Sequence, residues 1–128
     1  MLAEITDGVK VTVDCTYQSD FSNPTNFHFM FSYQIKIENM GEHTIQLLKR
    51  HWNIFDSCGT FREVDGDGVV GVQPILKQGE SHEYVSGCNL RTELGKMDGF
   101  YTMIRLDNSK TFTVKIPEFQ LICPFKLN

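Results

Sequence analysis

Alanine is nearly absent from this chain of 128 residues, in which it occurs once, at Ala3. Because alanine is the strongest helix former, its absence argues against a helical bundle. Val, Ile, Thr, Phe, Tyr and Trp instead make up about a third of the residues, a composition typical of β proteins. The length and the 41% hydrophobic content fit one globular domain. We therefore expect residues 1–128 to form a single all-β domain.

Long apolar runs are also missing. No segment approaches the roughly 18 apolar residues that a membrane-spanning helix requires. The N-terminus has no basic start followed by an apolar run of signal-peptide length. We therefore expect no membrane insertion and a cytoplasmic location.

Positive charge is in deficit, with 12 Lys and Arg against 16 Asp and Glu and a net charge of -4. Non-specific binding to nucleic acid depends on an excess of basic side chains that neutralise phosphates. The charge balance therefore disfavours general nucleic-acid binding.

Closely spaced cysteines are absent as well. The four cysteines contain no C-x-x-C pair of the kind found in zinc knuckles and redox sites. We expect them to be reduced, buried thiols, and we expect no metal or other cofactor: Cys15, Cys58, Cys88 and Cys123.

Apolar and polar residues alternate along two segments, with the period of half-buried strands. The alternation runs over 9–17 and again over 27–37, and it predicts that the odd-numbered residues of both segments face the core. Further strands are expected near 60–64, 81–86, 100–106 and 111–116, between turns that contain Gly or Asn.

The segment 44–56 is ambiguous, because its apolar residues fit both a helical and a strand period. We interpret it as a strand with a bulge near Leu47 and Leu48, since turn residues flank it on both sides. Seven or more short strands predict an antiparallel β-sandwich of the fibronectin type III or immunoglobulin-like class.

A glycine motif, G-x-G-x-x-G, is formed by Gly66, Gly68 and Gly71. In dinucleotide-binding folds this motif precedes a helix whose N-terminus attracts a pyrophosphate. Pro74 disfavours a helix here, so a Rossmann site is rejected. A nest of backbone amides that binds an anion stays open as an alternative. We expect the loop to be structural, because the neighbouring carboxylates would repel phosphate: Glu63, Asp65 and Asp67.

Lys49, Arg50, His51 and Trp52 form a short basic and aromatic run. Such a run can form a patch that grips an anion, or it can place Trp52 in the core with the cations solvated. We favour the core position for Trp52. Catalysis by a nucleophile has little support, since Ser86 and Cys88 lie outside any G-x-S-x-G elbow. We therefore expect a protein that is not an enzyme.

Several motifs taken together resemble the ApaG family, in its stand-alone bacterial form. The resemblance extends from about Val9 to Phe119 and rests on four segments: Leu47-Leu48-x-Arg50-His51-Trp52, Gly66-Asp67-Gly68-Val69-Val70-Gly71-Val72-Gln73-Pro74, Gly79-Glu80-Ser81 through Tyr84-x-Ser86-Gly87-Cys88, and Ile116-Pro117-x-Phe119. The family implies a fibronectin type III-like sandwich. It also implies an association with cobalt and magnesium efflux, which can only be indirect in a chain without membrane spans.

Two functions follow as expectations. The preferred one is a non-catalytic module that binds a protein partner through edge strands or loops, and it leaves a homo-oligomer open. The alternative is a small-ligand sensor for pyrophosphate or a dinucleoside polyphosphate. Its binding residues would be Gly66, Gly68, Gly71 and Arg50.

Overall fold

The structure is a computed structural model that describes residues 1–124. It contains nine strands and two short 3₁₀ turns, at Ser19–Phe21 and Pro24–Asn26. The strands are β1 Leu2–Thr6, β2 Val9–Tyr17, β3 Phe29–Asn39, β4 Ile45–Asp56, β5 Phe61–Asp67, β6 Ile75–Leu76, β7 Ser81–Leu90, β8 Leu94–Arg105 and β9 Thr111–Ile122.

The strands form two antiparallel sheets that pack face to face. The first sheet has the order β1-β2-β3-β7, and the second has the order β5-β4-β8-β9, with the short β6 paired to β4. This confirms the predicted antiparallel β-sandwich. The sequence patterns did not predict β1 or β6, and they ended β5, β7 and β9 too early and began β8 too late.

The alternation in β2 and β3 places their odd-numbered residues on the core face, as predicted. Val9, Val11 and Val13 are buried, and the odd-numbered residues from 29 to 37 are buried likewise. Phe27 contradicts the prediction. It precedes β3, is 71% exposed and has a left-handed φ of 57°, because it terminates the turn Pro24–Asn26.

A bulge in β4 explains the ambiguous pattern of that segment. The pairing of β4 with β8 shifts between Leu47 and Lys49, where the bulge was predicted. An extra residue reverses which parity faces inward. The buried residues of β4 are accordingly odd before the bulge and even after it: Ile45, Leu47, Trp52 and Ile54.

Aromatic rings occupy the centre of the core. Trp52 is 3% exposed, as predicted, and its ring centroid lies 5.2 Å from that of Tyr33 and 5.9 Å from that of Phe119. All four cysteines are free thiols in the structure. The expectation of burial is wrong for two of them: Cys15 is half-buried, and Cys58 is exposed because it lies in the turn between β4 and β5.

The two lateral sides of the sandwich differ. On one side β9 contacts both β1 and β2, and the Lys115 amide donates a hydrogen bond to the Thr6 hydroxyl. On the other side the edge strands β5 and β7 flank a cleft between the sheets. We call the β5 and β7 side the open side.

Candidate functional site

The glycine motif begins inside a strand and ends in a tight turn. Gly66 belongs to β5 and pairs with Arg50 of β4. Val70 and Gly71 both have positive φ, 47° and 80°, and they connect Val69 to Val72. Two positive φ angles in a two-residue connection are the geometry of a type I′ hairpin turn.

Three backbone amides of this segment donate hydrogen bonds within the fold. The Gly68 amide donates to the Leu48 carbonyl oxygen at 2.8 Å, and the Val69 and Val72 amides donate to each other's carbonyl oxygens at 2.8 and 3.1 Å. An anion-binding nest needs amides directed at the ligand. The committed amides therefore favour a structural role for this segment, which includes the buried Val69.

Arg50 holds the start of the turn from the inner face of the sheet. Its Nη1 donates to the Asp67 and Gly68 carbonyl oxygens, both at 3.0 Å. A Cβ atom on Gly66 would lie 2.6 Å from the guanidinium carbon. A larger residue at position 66 would therefore displace the guanidinium of Arg50 from its present position.

The three carboxylates that were expected to surround the glycine loop are arranged differently. Glu63, Asp65 and Asp67 are alternate residues of β5, so they share the sheet face opposite to Gly66 and Arg50. Their charges thus lie on the outer face, whereas the guanidinium of Arg50 lies on the inner face. The structure brings Arg50 together with Gly66 and Gly68, but not with Gly71 at the tip of the turn.

A cleft of about 260 Å³ opens between β5 and β7. Arg50 and Arg62 enter it from the second sheet, and Ser86 and Cys88 enter it from the first. Arg62 crosses the cleft, where its Nη2 donates to the Asn89 carbonyl oxygen at 2.6 Å. Burial raises the pKa of Cys88, so the thiol is not an activated nucleophile at neutral pH. Sequence reasoning did not find this cleft.

The basic and aromatic run does not form one patch. Its residues alternate across the sheet, so Arg50 and Trp52 face inward while Lys49 and His51 face outward. His51 instead belongs to a polar chain on the outer face. His51 Nδ1 lies 2.6 Å from Asp65 Oδ1, and the hydrogen bond between them raises the pKa of His51.

No described residues provide a metal centre, since no three His, Cys, Asp or Glu side chains are grouped to hold an ion. Within residues 1–124 there is likewise no helix with the length and apolar character needed to cross a membrane.

Comparison with known proteins identifies the family of this chain. The family model described as ApaG domain matches residues 19–105. The chain belongs to the ApaG family. Protein ApaG of Anaeromyxobacter dehalogenans strain 2CP-C is 44% identical over 128 residues, which are 100% of both chains. Protein ApaG of Paramagnetospirillum magneticum is 44% identical over 97% of this chain and 95% of its own.

Solved structures of similar proteins share the ApaG-family sandwich. The crystal structure of an ApaA protein from Bordetella pertussis superposes with a TM-score of 0.87 at 41% identity, over 91% of this chain and 94% of that one. The ApaG-family sandwich of this chain therefore has an experimentally solved relative of nearly the same length.

Proposed function

We propose that this ApaG-family chain is a non-catalytic module that binds an extended segment of a protein partner by adding it as a strand to β7. One observation carries the proposal: β7 is a long, regular edge strand with little to prevent pairing. Its ten residues pair with β3 without a register shift, and its other edge has no strand neighbour within residues 1–124.

The free edge of β7 presents backbone donors and acceptors. In an antiparallel strand the N–H and C=O groups of one residue point to the same side, and the side alternates along the strand. The Asn89 carbonyl oxygen accepts from Arg62 across the cleft, so the odd-numbered residues direct these groups to the free edge. Glu83, Val85 and Gly87 therefore present a row of backbone groups that have no strand partner within residues 1–124, which is what strand addition requires.

Other strand edges carry features that discourage pairing. The outer face of β5 bears the three carboxylates Glu63, Asp65 and Asp67, and inserted charges protect edges from unwanted pairing. β9 contacts β1 and β2 at the closed side. In contrast, β7 contains one formally charged residue, Glu83, and no Lys or Pro. This contrast supports β7 as the binding edge.

Binding to a protein partner is also compatible with the expected metal association, cytoplasmic location and single domain. An association with cobalt or magnesium homeostasis would be indirect, through the partner, and the module would act in the cytoplasm as one domain.

A second copy of the chain is one such partner, since β7 of one copy can pair with β7 of another around a two-fold axis. The alternative, pyrophosphate at Gly66, Gly68 and Gly71, has less support because the Gly68 amide is committed to Leu48.

The proposal is tested by selecting displayed linear peptides of about ten residues, the length of β7, and measuring their affinity for two variants. Val85→Pro removes the edge-facing N–H, and proline is tolerated at strand edges whose N–H faces solvent. Val85→Thr keeps the N–H and serves as the matched control. We expect binding to be lost with Val85→Pro and kept with Val85→Thr. Equal binding to both folded variants, or no selected peptide, would contradict strand addition at β7.

A further inference from the structure

We propose that the cleft between β5 and β7 is an oxyanion site, in which Arg50 and Arg62 hold a carboxylate or phosphate group carried by the segment that adds to β7. The inference rests on the proposed function and deepens it by naming the chemistry of the bound segment. It starts from the contrast between an acidic chain, with a net charge of -4, and a cleft that is locally basic.

No acidic side chain of the described residues lines the cleft, and Asp56 is the carboxylate whose charge acts on Cys88 from the adjoining surface. Among the described residues that line it, two are arginines and none is acidic. Neither arginine forms an ion pair with a carboxylate of residues 1–124. Arg50 is half-buried and Arg62 is exposed, and guanidinium groups that lack a carboxylate partner stay available to attract an anion.

Each guanidinium is held in place but keeps donors for a ligand. Nη1 of Arg50 is bound to two carbonyl oxygens, and Nη2 of Arg62 is bound to the Asn89 carbonyl oxygen. A guanidinium carries five N–H donors in a rigid fork that fits carboxylate and phosphate oxygens. The existing contacts orient the two groups, so that less side-chain freedom is lost when an anion binds.

Hydroxyl groups contribute further donors at the base of the cleft. Ser86 and Tyr33 line it, and each carries a hydroxyl group. The field of Arg50 extends to the buried Tyr33, where it opposes the burial that raises the pKa of this tyrosine. A cleft with two guanidinium groups above hydroxyls suits oxygens that accept several hydrogen bonds.

The position of the cleft beside β7 indicates where the anion originates. Arg62 reaches the Asn89 carbonyl oxygen, which belongs to the edge of β7 that we propose as the pairing surface. A strand added there would lie along the mouth of the cleft, and its alternate side chains point toward the space between the sheets. An acidic or phosphorylated side chain at one of those positions would reach Arg50 and Arg62.

The test uses Trp52, which lines the cleft and is the single tryptophan of the chain. Inorganic phosphate is titrated into the purified protein while Trp52 fluorescence is followed, at low and at high sodium chloride. We expect a saturable change with a dissociation constant on the order of 1 mM, weakened by salt because the attraction is electrostatic. An acetate titration compares the carboxylate with the phosphate.

Three variants give the test its specificity. Arg62→Gln should weaken phosphate binding by at least about tenfold, since a charge-assisted pair is lost. Arg105→Gln is the matched control, because Arg105 lies over the Phe112 ring and outside the cleft. Gly71→Ala separates this site from the glycine turn and should leave the titration unchanged. Circular dichroism checks that each variant is folded.

Absence of a saturable change in the wild type, or an equal response from Arg62→Gln, would overturn the oxyanion site. A response abolished by Gly71→Ala would place the anion at the glycine turn instead, which also overturns it. These outcomes are independent of strand addition: peptides whose binding depends on the Val85 N–H would still support the proposed function. The two proposals are linked by a selected acidic peptide in which Glu is replaced by Gln. If this replacement lowers the affinity of the peptide for the wild type but not for Arg62→Gln, the acidic side chain of the added strand binds at Arg62.

Discussion

Both ring nitrogens of His51 face hydrogen-bond acceptors. Nδ1 lies 2.6 Å from the Asp65 carboxylate, and Nε2 lies 3.0 Å from Asn53 Oδ1. The orientation of the Asn53 amide is fixed because its nitrogen donates to Asp98 Oδ1 at 2.9 Å, and a carboxylate can only accept. The imidazolium form, in which both nitrogens donate, satisfies both acceptors, whereas the neutral ring satisfies only one of them.

Protonation of His51 should make the free energy of unfolding depend on pH. The native pKa of His51 is raised above its ordinary value of 6.5, so the native state binds the proton more tightly than the unfolded chain. The resulting stability is fully present below pH 6.5 and is lost as the pH rises through the native pKa. Urea unfolding between about pH 5.5 and 9 should show Asp65→Ala to be less stable than wild type at low pH, with the difference shrinking as the pH rises.

Glu83→Ala, on the other sheet, is the control for this series and should show no such trend. The difference should also diminish in high salt, since Asp65 is 74% exposed and its charge is screened. A difference between Asp65→Ala and wild type that stays constant across the pH range would show that His51 is not the titrating group.

At the scale of the elements, the period of the apolar residues predicted most of the strands but not all of them. The alternation of β2 and β3 was sufficient to orient them, because each lies within a sheet with one buried face. The bulge of β4 could be located because the apolar period changes there. Strands β1 and β6 were missed, since β1 is largely exposed and β6 has two residues, and neither produces an alternating pattern.

The glycine turn provides a test at this scale. Gly68 has a φ of +63°, and a Cβ atom there would collide with the Val72 carbonyl oxygen, which belongs to the backbone. Gly68→Ala should therefore lower the free energy of unfolding by about 2 to 4 kcal/mol. Gly71→Ala is the matched control, with a similar φ of +80° but open space around the added atom, and it should cost about 1 kcal/mol.

Denaturant titration of the two variants measures this difference. Equal losses for Gly68→Ala and Gly71→Ala would show that the close approach of Val72 does not constrain the turn. A neutral Gly68→Ala would contradict the predicted collision of the added Cβ atom with the Val72 carbonyl oxygen.

At the scale of the whole molecule, the open side could not be predicted from the sequence. The cleft combines side chains from β3, β4, β5, β7 and β8, and Arg50 lies 36 positions before Ser86. Single-sequence patterns show which face of a strand is buried, but not which two edges meet. Arg50 was predicted as a ligand residue for the glycine loop, and it does contact Gly66 and Gly68. Arg50 also lines the cleft, and the cleft could be recognised only from the arrangement of the two sheets.

The asymmetry of the sandwich is the basis of the functional account. One lateral side is closed by contacts of β9 with β1 and β2, whereas on the other the edge of β7 has no strand neighbour within residues 1–124 and lies beside two arginines. A binding module needs unpaired backbone groups and a local feature that confers specificity. The open side has both.

The most direct measurement is a map of amide chemical-shift changes when a display-selected peptide is added to the ¹⁵N-labelled protein. Our account predicts that the changes concentrate in Ser81–Leu90 and at the Arg62 side chain, with little change in β1 and β9. Changes confined to the β1 and β9 side, or to the turn at Val70 and Gly71, would contradict it.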